Sequence, residues 1–282
     1  MNSRHQPFVP GEPLAGRPGV RLVEEPIFAR ILGQGRPLVL VHGLAISGRM
    51  FASVAEDLAT DHQLVIPDLR GQGRSGHLPG PYTARDLSED LAALLQRLDI
   101  SRATVLGYSQ GGPIAQQLAH DHPQLVGRLV LACTYAYNML SRRERVEGYL
   151  LPWIFRLFGP RGLGRMVLYA SGVGGGPRLT RQQARFVADL FAGTSRSAGV
   201  ELARATLLFD SRPWLSSLHV PTLVIAGERD SAVPLHHARM LSQEIPGATL
   251  KVVPGAGHAL IWTHPRELVE AVRQWEEGLP PD

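Results

Sequence analysis

The sequence predicts an α/β fold, and three observations carry that prediction. Short apolar runs alternate with segments of helical spacing along most of the 282 residues. Reactive residue types fall just after several of those runs. The alternation also stops once, between Tyr135 and Pro213, and then resumes. An alternating β-α-β-α order implies a mostly parallel sheet with helices on both faces.

In order, "VRLVEE" and "IFARILG" read as an opening hairpin, and "PLVLVHG" as a strand buried on both faces. A helical pattern over 49–59 precedes the strand "QLVIPD". A helix is expected over 83–98, with Leu87, Leu91, Leu94, Leu95 and Leu98 on one face. Strand 103–107, helix 110–122 and strand "RLVLAC" follow. Residues 135–213 read as several short helices broken by Gly and Pro, notably at "GVGGGP" (172–177). At "VPTLVIAGERD" the alternation resumes with a strand, and a helix over 234–245, the strand "TLKVVPG" and a helix over 265–277 complete the chain. The expected organisation is a flexible arm over 1–19, a core of 20–134 plus 214–282, and a helical insertion over 135–213.

Composition narrows the function classes. A 44% hydrophobic, 19% charged chain is globular rather than disordered, and no apolar run approaches the length of a bilayer span. No secretory leader is legible at the start, so the expected location is cytoplasmic. The single cysteine, Cys133, lies in an apolar run and reads as a small buried residue. Of 29 basic residues all but Lys251 are arginine, and 135–213 holds twelve arginines against five acidic residues, a net of +7 in a chain of +4. The arginines are scattered without aromatic interleaving, so no nucleic-acid partner is expected.

The chemistry lies at the strand ends, where open α/β sheets bind ligands. Gly107-Tyr108-Ser109-Gln110-Gly111 fits G-x-S-x-G between a strand and a helix, the position from which a tight turn projects a hydroxyl. Serine needs a base, and the base needs a carboxylate to fix its tautomer. Asp230 and His258 follow later strands and supply both. Other histidines fit less well: His236, His237, His120 and His122 belong to helices as surface or capping groups, His264 starts the last helix, and His42 suits ordering a loop. Glu228 and Asp210 are weaker acids for the role, and "TYAYNMLSRR" offers none.

Gly71 to Gly76 fits G-x-G-x-x-G, but Pro79 and Pro81 intervene before any helix, so a turn positioned by Asp68 and Arg70 is expected rather than a dinucleotide site. No metal-ligand spacing is present, and adjacent His236 and His237 are not expected to chelate.

With these stretches in hand, the sequence resembles the α/β-hydrolase superfamily from about Val20 to Glu277. The stretches that carry the resemblance are "LVLVHGLA", "PDLRGQGRSG", "LGYSQGG", "LVIAGERDSAVP" and "VVPGAGHALIWTHPREL". The resemblance implies an eight-stranded, mostly parallel sheet, with the insertion as a cap. It implies an oxyanion hole from the backbone N–H groups of Leu44 and Gln110, and a serine esterase acting on a mainly apolar small molecule without metal, flavin or nucleotide. Candidate pocket residues are Tyr108, Met139, Trp153, Phe155, Phe158, Met166 and Tyr169. A carbon–carbon bond hydrolase or enol-lactonase acting on a carboxylate-bearing substrate is the alternative, kept open by the basic insertion. A ligand-binding member of the fold that lacks activity is the second. No stable membrane insertion is expected, and monomer and homodimer remain open.

Overall fold

The computed structural model describes residues 19–170 and 175–280, so the expected arm up to residue 18 and the first half of "GVGGGP" lie outside the described residues. Eight strands form one sheet: β1 (Arg21–Val23), β2 (Ala29–Leu32), β3 (Arg36–Val41), β4 (His62–Pro67), β5 (Ala103–Tyr108), β6 (Val126–Ala132), β7 (Thr222–Gly227) and β8 (Thr249–Val253). Their spatial order is β1-β2-β4-β3-β5-β6-β7-β8. The opening hairpin is antiparallel, and β2 also pairs antiparallel with β4; every later pairing is parallel.

The continuous apolar runs have a direct cause. Every residue of β5, β6 and β7 is buried, because helices cover both faces of the sheet. Strand alternation sends Leu38, Leu40 and Leu106 to one face, where α1 (Ala55–Leu58) and α9 (Pro265–Glu277) pack through Leu58, Leu268 and Val272. Val39, Val41 and Val105 face the other way, toward α2 (Ala84–Arg97), α3 (Gly111–Asp121) and α7 (Leu235–Glu244). The leucine stripe expected on α2 packs here, and Thr83 with Asp86 forms a capping box at its start.

Two expectations change in detail. The helical pattern over 49–59 is split at Val54 into a 3-10 stretch (Gly48–Ser53) and the short α1. The insertion is broken into helices at a glycine, as expected, but its first helix is longer than expected: the span labelled α4 (Arg142–Ala170) is two helices that meet at Gly159, whose φ of 66° no helix interior accepts. Pro160 follows that break, at the first turn of the continuing helix, where its missing N–H is tolerated. Then come α5 (Arg181–Leu190) and α6 (Arg196–Leu208), and α8 (Leu260–Thr263) precedes α9. α4, α5 and α6 therefore lie between β6 and β7 in the chain, above the carboxyl ends of the parallel strands.

Candidate active site

β5 ends at Tyr108 and α3 begins at Gly111, so the chain must reverse within Ser109 and Gln110. Ser109 does this at φ 54°, a left-handed conformation that costs a side-chain-bearing residue energy. The turn closes because Ser109 donates its N–H to the Ala132 carbonyl (2.9 Å) and accepts Gly112 N–H (3.0 Å) and the Thr134 hydroxyl (2.6 Å) on its own carbonyl. Glycine is needed on both sides. A Cβ at Gly107 would overlap the Gly111 carbonyl, and one at Gly111 would overlap the Val41 carbonyl. Gly111→Ala is expected to cost about 3 kcal/mol or to prevent folding, since rigid backbone cannot retreat as a side chain can. A urea midpoint unchanged from the parent would refute this packing.

His258, in the loop after β8, places Nε2 3.0 Å from Ser109 Oγ, while its Nδ1 lies 2.8 Å from Asp230 Oδ2. Asp230, in the loop after β7, is held by the N–H groups of Ala232 (2.9 Å) and Val233 (2.8 Å) on its other oxygen. Both links are satisfied when Nδ1–H donates to the carboxylate and the serine hydroxyl donates to Nε2. Burial pulls the His258 pKa down, but the Asp230 charge and hydrogen bond outweigh it, and the net direction is up.

The N–H groups of Leu44 and Gln110 have no hydrogen-bond acceptor among the described residues, and both residues line the cavity that contains Ser109 and His258. His42 orders the Leu44 loop, as its position in the sequence suggests. It is fully buried, accepts Leu69 N–H on Nε2 (3.0 Å), and donates from Nδ1 to the Gly43 carbonyl (2.8 Å). Burial pushes its pKa down, which keeps the ring neutral in that role. Asp68 gathers Gly48 N–H (2.8 Å), Arg74 N–H (2.9 Å) and the Arg30 guanidinium (2.9 Å), fixing the glycine-rich turn beside this loop. Arg70 instead turns away to pair with Asp90.

The cavity measures about 300 Å³ and is walled by the loops that carry Leu44, Ser109 and His258 together with Glu144, Gly148 and Leu151 of α4, Thr206 of α6, and His237. The aromatic residues proposed for it lie elsewhere. Trp153 and Phe158 are 60% and 55% exposed on the outer side of α4. Phe155 is fully buried against Gly199 of α6, so it holds two helices together rather than lining a pocket. Met139 is buried beside Gly148, one layer behind the wall, and the side chains of Met166 and Tyr169 lie outside the described residues.

Tyr108 is also a structural residue. It is 2% exposed, and its hydroxyl donates to the His258 carbonyl (2.7 Å) and accepts Ile261 N–H (3.3 Å), tying β5 to the loop that carries His258. The sequence suggests it for the pocket, but it does not line the cavity; its variable position in G-x-S-x-G carries no signal of this cross-link. Cys133 is buried against Tyr108 and Asp230, and burial pushes its thiol pKa up, so it stays protonated behind the carboxylate.

The placement of His237 corrects its surface reading, while His236 stays at the surface. His237 is 2% exposed, its Nε2 lies 3.2 Å from Glu144 Oε1, and half-exposed His236 reaches the same oxygen at 2.8 Å. Two adjacent residues on α7 thus converge on a partner from α4, which spacing along one helix cannot reveal. Glu144 Oε2 also accepts Ser141 N–H (2.7 Å), capping α4. Burial raises the Glu144 pKa, but the Ser141 bond and the two histidines together bring it below its ordinary value. Glu144→Ala is expected to cost about 1–3 kcal/mol, through the lost cap and a buried ring nitrogen left unpaired. Equilibrium urea denaturation checks this, and no loss would mean that the clasp contributes nothing.

Of the rival acids, Glu228 is exposed and accepts Gly255 N–H (2.8 Å), and Asp210 pairs with Arg212. No helix among the described residues is long and apolar enough to cross a membrane.

Comparison with known proteins bears on the fold that carries this site. Residues 36–265 match the family described as alpha/beta hydrolase fold. A pimeloyl-[acyl-carrier protein] methyl ester esterase from Chromobacterium violaceum is 31% identical over 258 residues, covering 88% of this chain and 97% of that protein. A poly(3-hydroxyalkanoate) depolymerase from Ectopseudomonas oleovorans is 30% identical over 238 residues, covering 80% and 79%. Among solved structures, an esterase from Exiguobacterium antarcticum superposes with a TM-score of 0.81 at 22% identity, covering 89% of this chain and 96% of that one.

Proposed function

The chain belongs to the α/β-hydrolase fold family, and from that premise we propose that it is a serine hydrolase that cleaves carboxylic esters through an acyl-enzyme on Ser109. The observation that supports this most directly is the hydrogen-bonded line from Ser109 Oγ through the His258 ring to Asp230. In this reading Ser109 Oγ attacks the ester carbonyl as His258 Nε2 takes its proton. Negative charge builds on the carbonyl oxygen, where the free N–H groups of Leu44 and Gln110 receive it. The intermediate collapses, and the alcohol leaves with the proton from His258. Water, deprotonated by the same nitrogen, then releases the acid and restores Ser109. Asp230 stabilises the imidazolium in both halves without itself taking the proton.

The helices between β6 and β7 act in this reading as a cap that sets the substrate's size and polarity. At about 300 Å³ the cavity is at the small end of ligand sites, so short acyl chains are expected to be preferred. Its charged wall residues from the insertion are Glu144 and Glu147, and no arginine lines it among the described residues. The basic character of the insertion therefore gives the carboxylate-bearing substrates no support.

The test is a series of p-nitrophenyl esters from acetate to palmitate, run beside labelling with a fluorophosphonate. Turnover with a short-chain optimum, together with labelling of Ser109, is the expected result. Labelling without turnover of any ester would keep the hydrolase and discard the ester. Absence of labelling would discard the catalytic reading altogether.

A further inference from the structure

We propose that the outward face of α4 docks the protein peripherally on an anionic lipid bilayer. Of the eight large hydrophobic residues exposed among the described residues, six lie on this one helix: Val146, Tyr149, Leu150, Trp153, Leu157 and Phe158, each 51–65% exposed. At 100° per residue, the first five fall within an arc of about 100°, a continuous stripe rather than a scatter. Isolated surface hydrophobics need no explanation, but a rimmed contiguous patch marks an interaction surface.

The opposite side of the same helix already has partners. Glu144, Gly148 and Leu151 face the cavity, and Phe155 is buried against α6. α4 is therefore apolar on two faces, and among the described residues only the inner one is covered. The helix has the interfacial pattern of tryptophan and tyrosine on a stripe edged by arginine.

The charges around the stripe identify the occupant. Arg145 and Arg156 flank it, Arg142 precedes it, and Arg161 and Arg165 continue past the break at Gly159; all five are exposed. The Arg156 guanidinium stands 5.9 Å from the centre of the Trp153 ring, at the edge of the stripe. The acidic residues nearby are neutralised or turned inward: Glu147 pairs with Arg143 at 2.6 Å, and Glu144 is buried against His237. A second copy of the chain seated across a two-fold axis would oppose arginine with arginine, whereas a surface of lipid phosphates meets each one with opposite charge. This inference stands on the surface of α4 and does not depend on the reaction catalysed beneath it.

Sedimentation of the full chain with sucrose-loaded vesicles tests it, comparing phosphatidylglycerol–phosphatidylcholine mixtures with phosphatidylcholine alone. Binding to the anionic vesicles is expected to exceed binding to the neutral ones at least tenfold and to weaken markedly from 0.1 to about 0.5 M salt. Leu150→Ser combined with Leu157→Ser, and separately Arg145→Gln with Arg156→Gln, should each reduce the binding by about tenfold while circular dichroism stays unchanged. Equal binding to both vesicle types, or binding indifferent to both double variants, would overturn the proposal. So would a dimer in analytical ultracentrifugation that the leucine variant dissolves, since a second copy would then be the cover.

Discussion

Replacing Ser109 with alanine is expected to lower kcat for an ester substrate by on the order of 10⁶, with KM little changed. The loss is expected to be so large because, in the proposed mechanism, the hydroxyl hydrogen-bonded to His258 Nε2 is the attacking atom. The fold should survive. Ala carries the same Cβ as Ser through the left-handed turn at φ 54°, and the bonds that close the turn all use the Ser109 backbone. The thermal midpoint is therefore expected to stay within a few degrees of the parent. Residual turnover above the uncatalysed rate, by roughly 10³-fold, should persist if Leu44 and Gln110 stabilise the oxyanion independently of the nucleophile. A variant that kept a tenth of the parent activity would disprove the assignment of Ser109.

Asp230→Asn is the second large effect, and it carries a sign. In the parent, His258 acts as a base only when neutral, and its pKa is raised above the ordinary 6.5 because Asp230 outweighs burial. The acid limb of kcat/KM should accordingly lie above pH 6.5, with activity lost as pH falls through it. Asparagine removes the charge but leaves the ring buried, so the balance reverses and the limb should move to lower pH. The maximal rate should fall by about 10⁴, because an amide can offer its NH₂ to Nδ1 and so favours the wrong tautomer. A pH–rate profile of both proteins reads the two effects together. A limb that stayed in place would mean that Asp230 does not set the protonation of His258.

The fold and the line of Ser109, Asp230 and His258 could be read in advance because each depends on signals local to the chain. Buried parallel strands must be continuous apolar runs, and a turn as tight as that at Ser109 must be flanked by glycine, since Val41 and Gly111 backbone fill the space. The cavity wall could not be read the same way. On α4 the inward Leu151 and the outward Leu150 and Leu157 are the same residue type, and only the neighbouring α6 decides which are covered. The sequence suggests Tyr108 for the pocket, and its actual tie to the His258 loop is hidden for a related reason: its hydroxyl partner is 150 residues away in the chain. Burial of His237 likewise depends on Glu144, which approaches from a different element.

The position of the insertion also has an evolutionary consequence. Ser109 precedes it in the chain, Asp230 and His258 follow it, and every bond among the three is made outside it. On the proposed mechanism, chemistry and selectivity are thus encoded in separate stretches of the gene. Mutations between Tyr135 and Pro213 can explore new cavity shapes, or new outer surfaces, while the proton-transfer line is inherited intact. Exchange of that stretch for a homologous one, by recombination or by design, should yield proteins that differ in what they accept far more than in how they react.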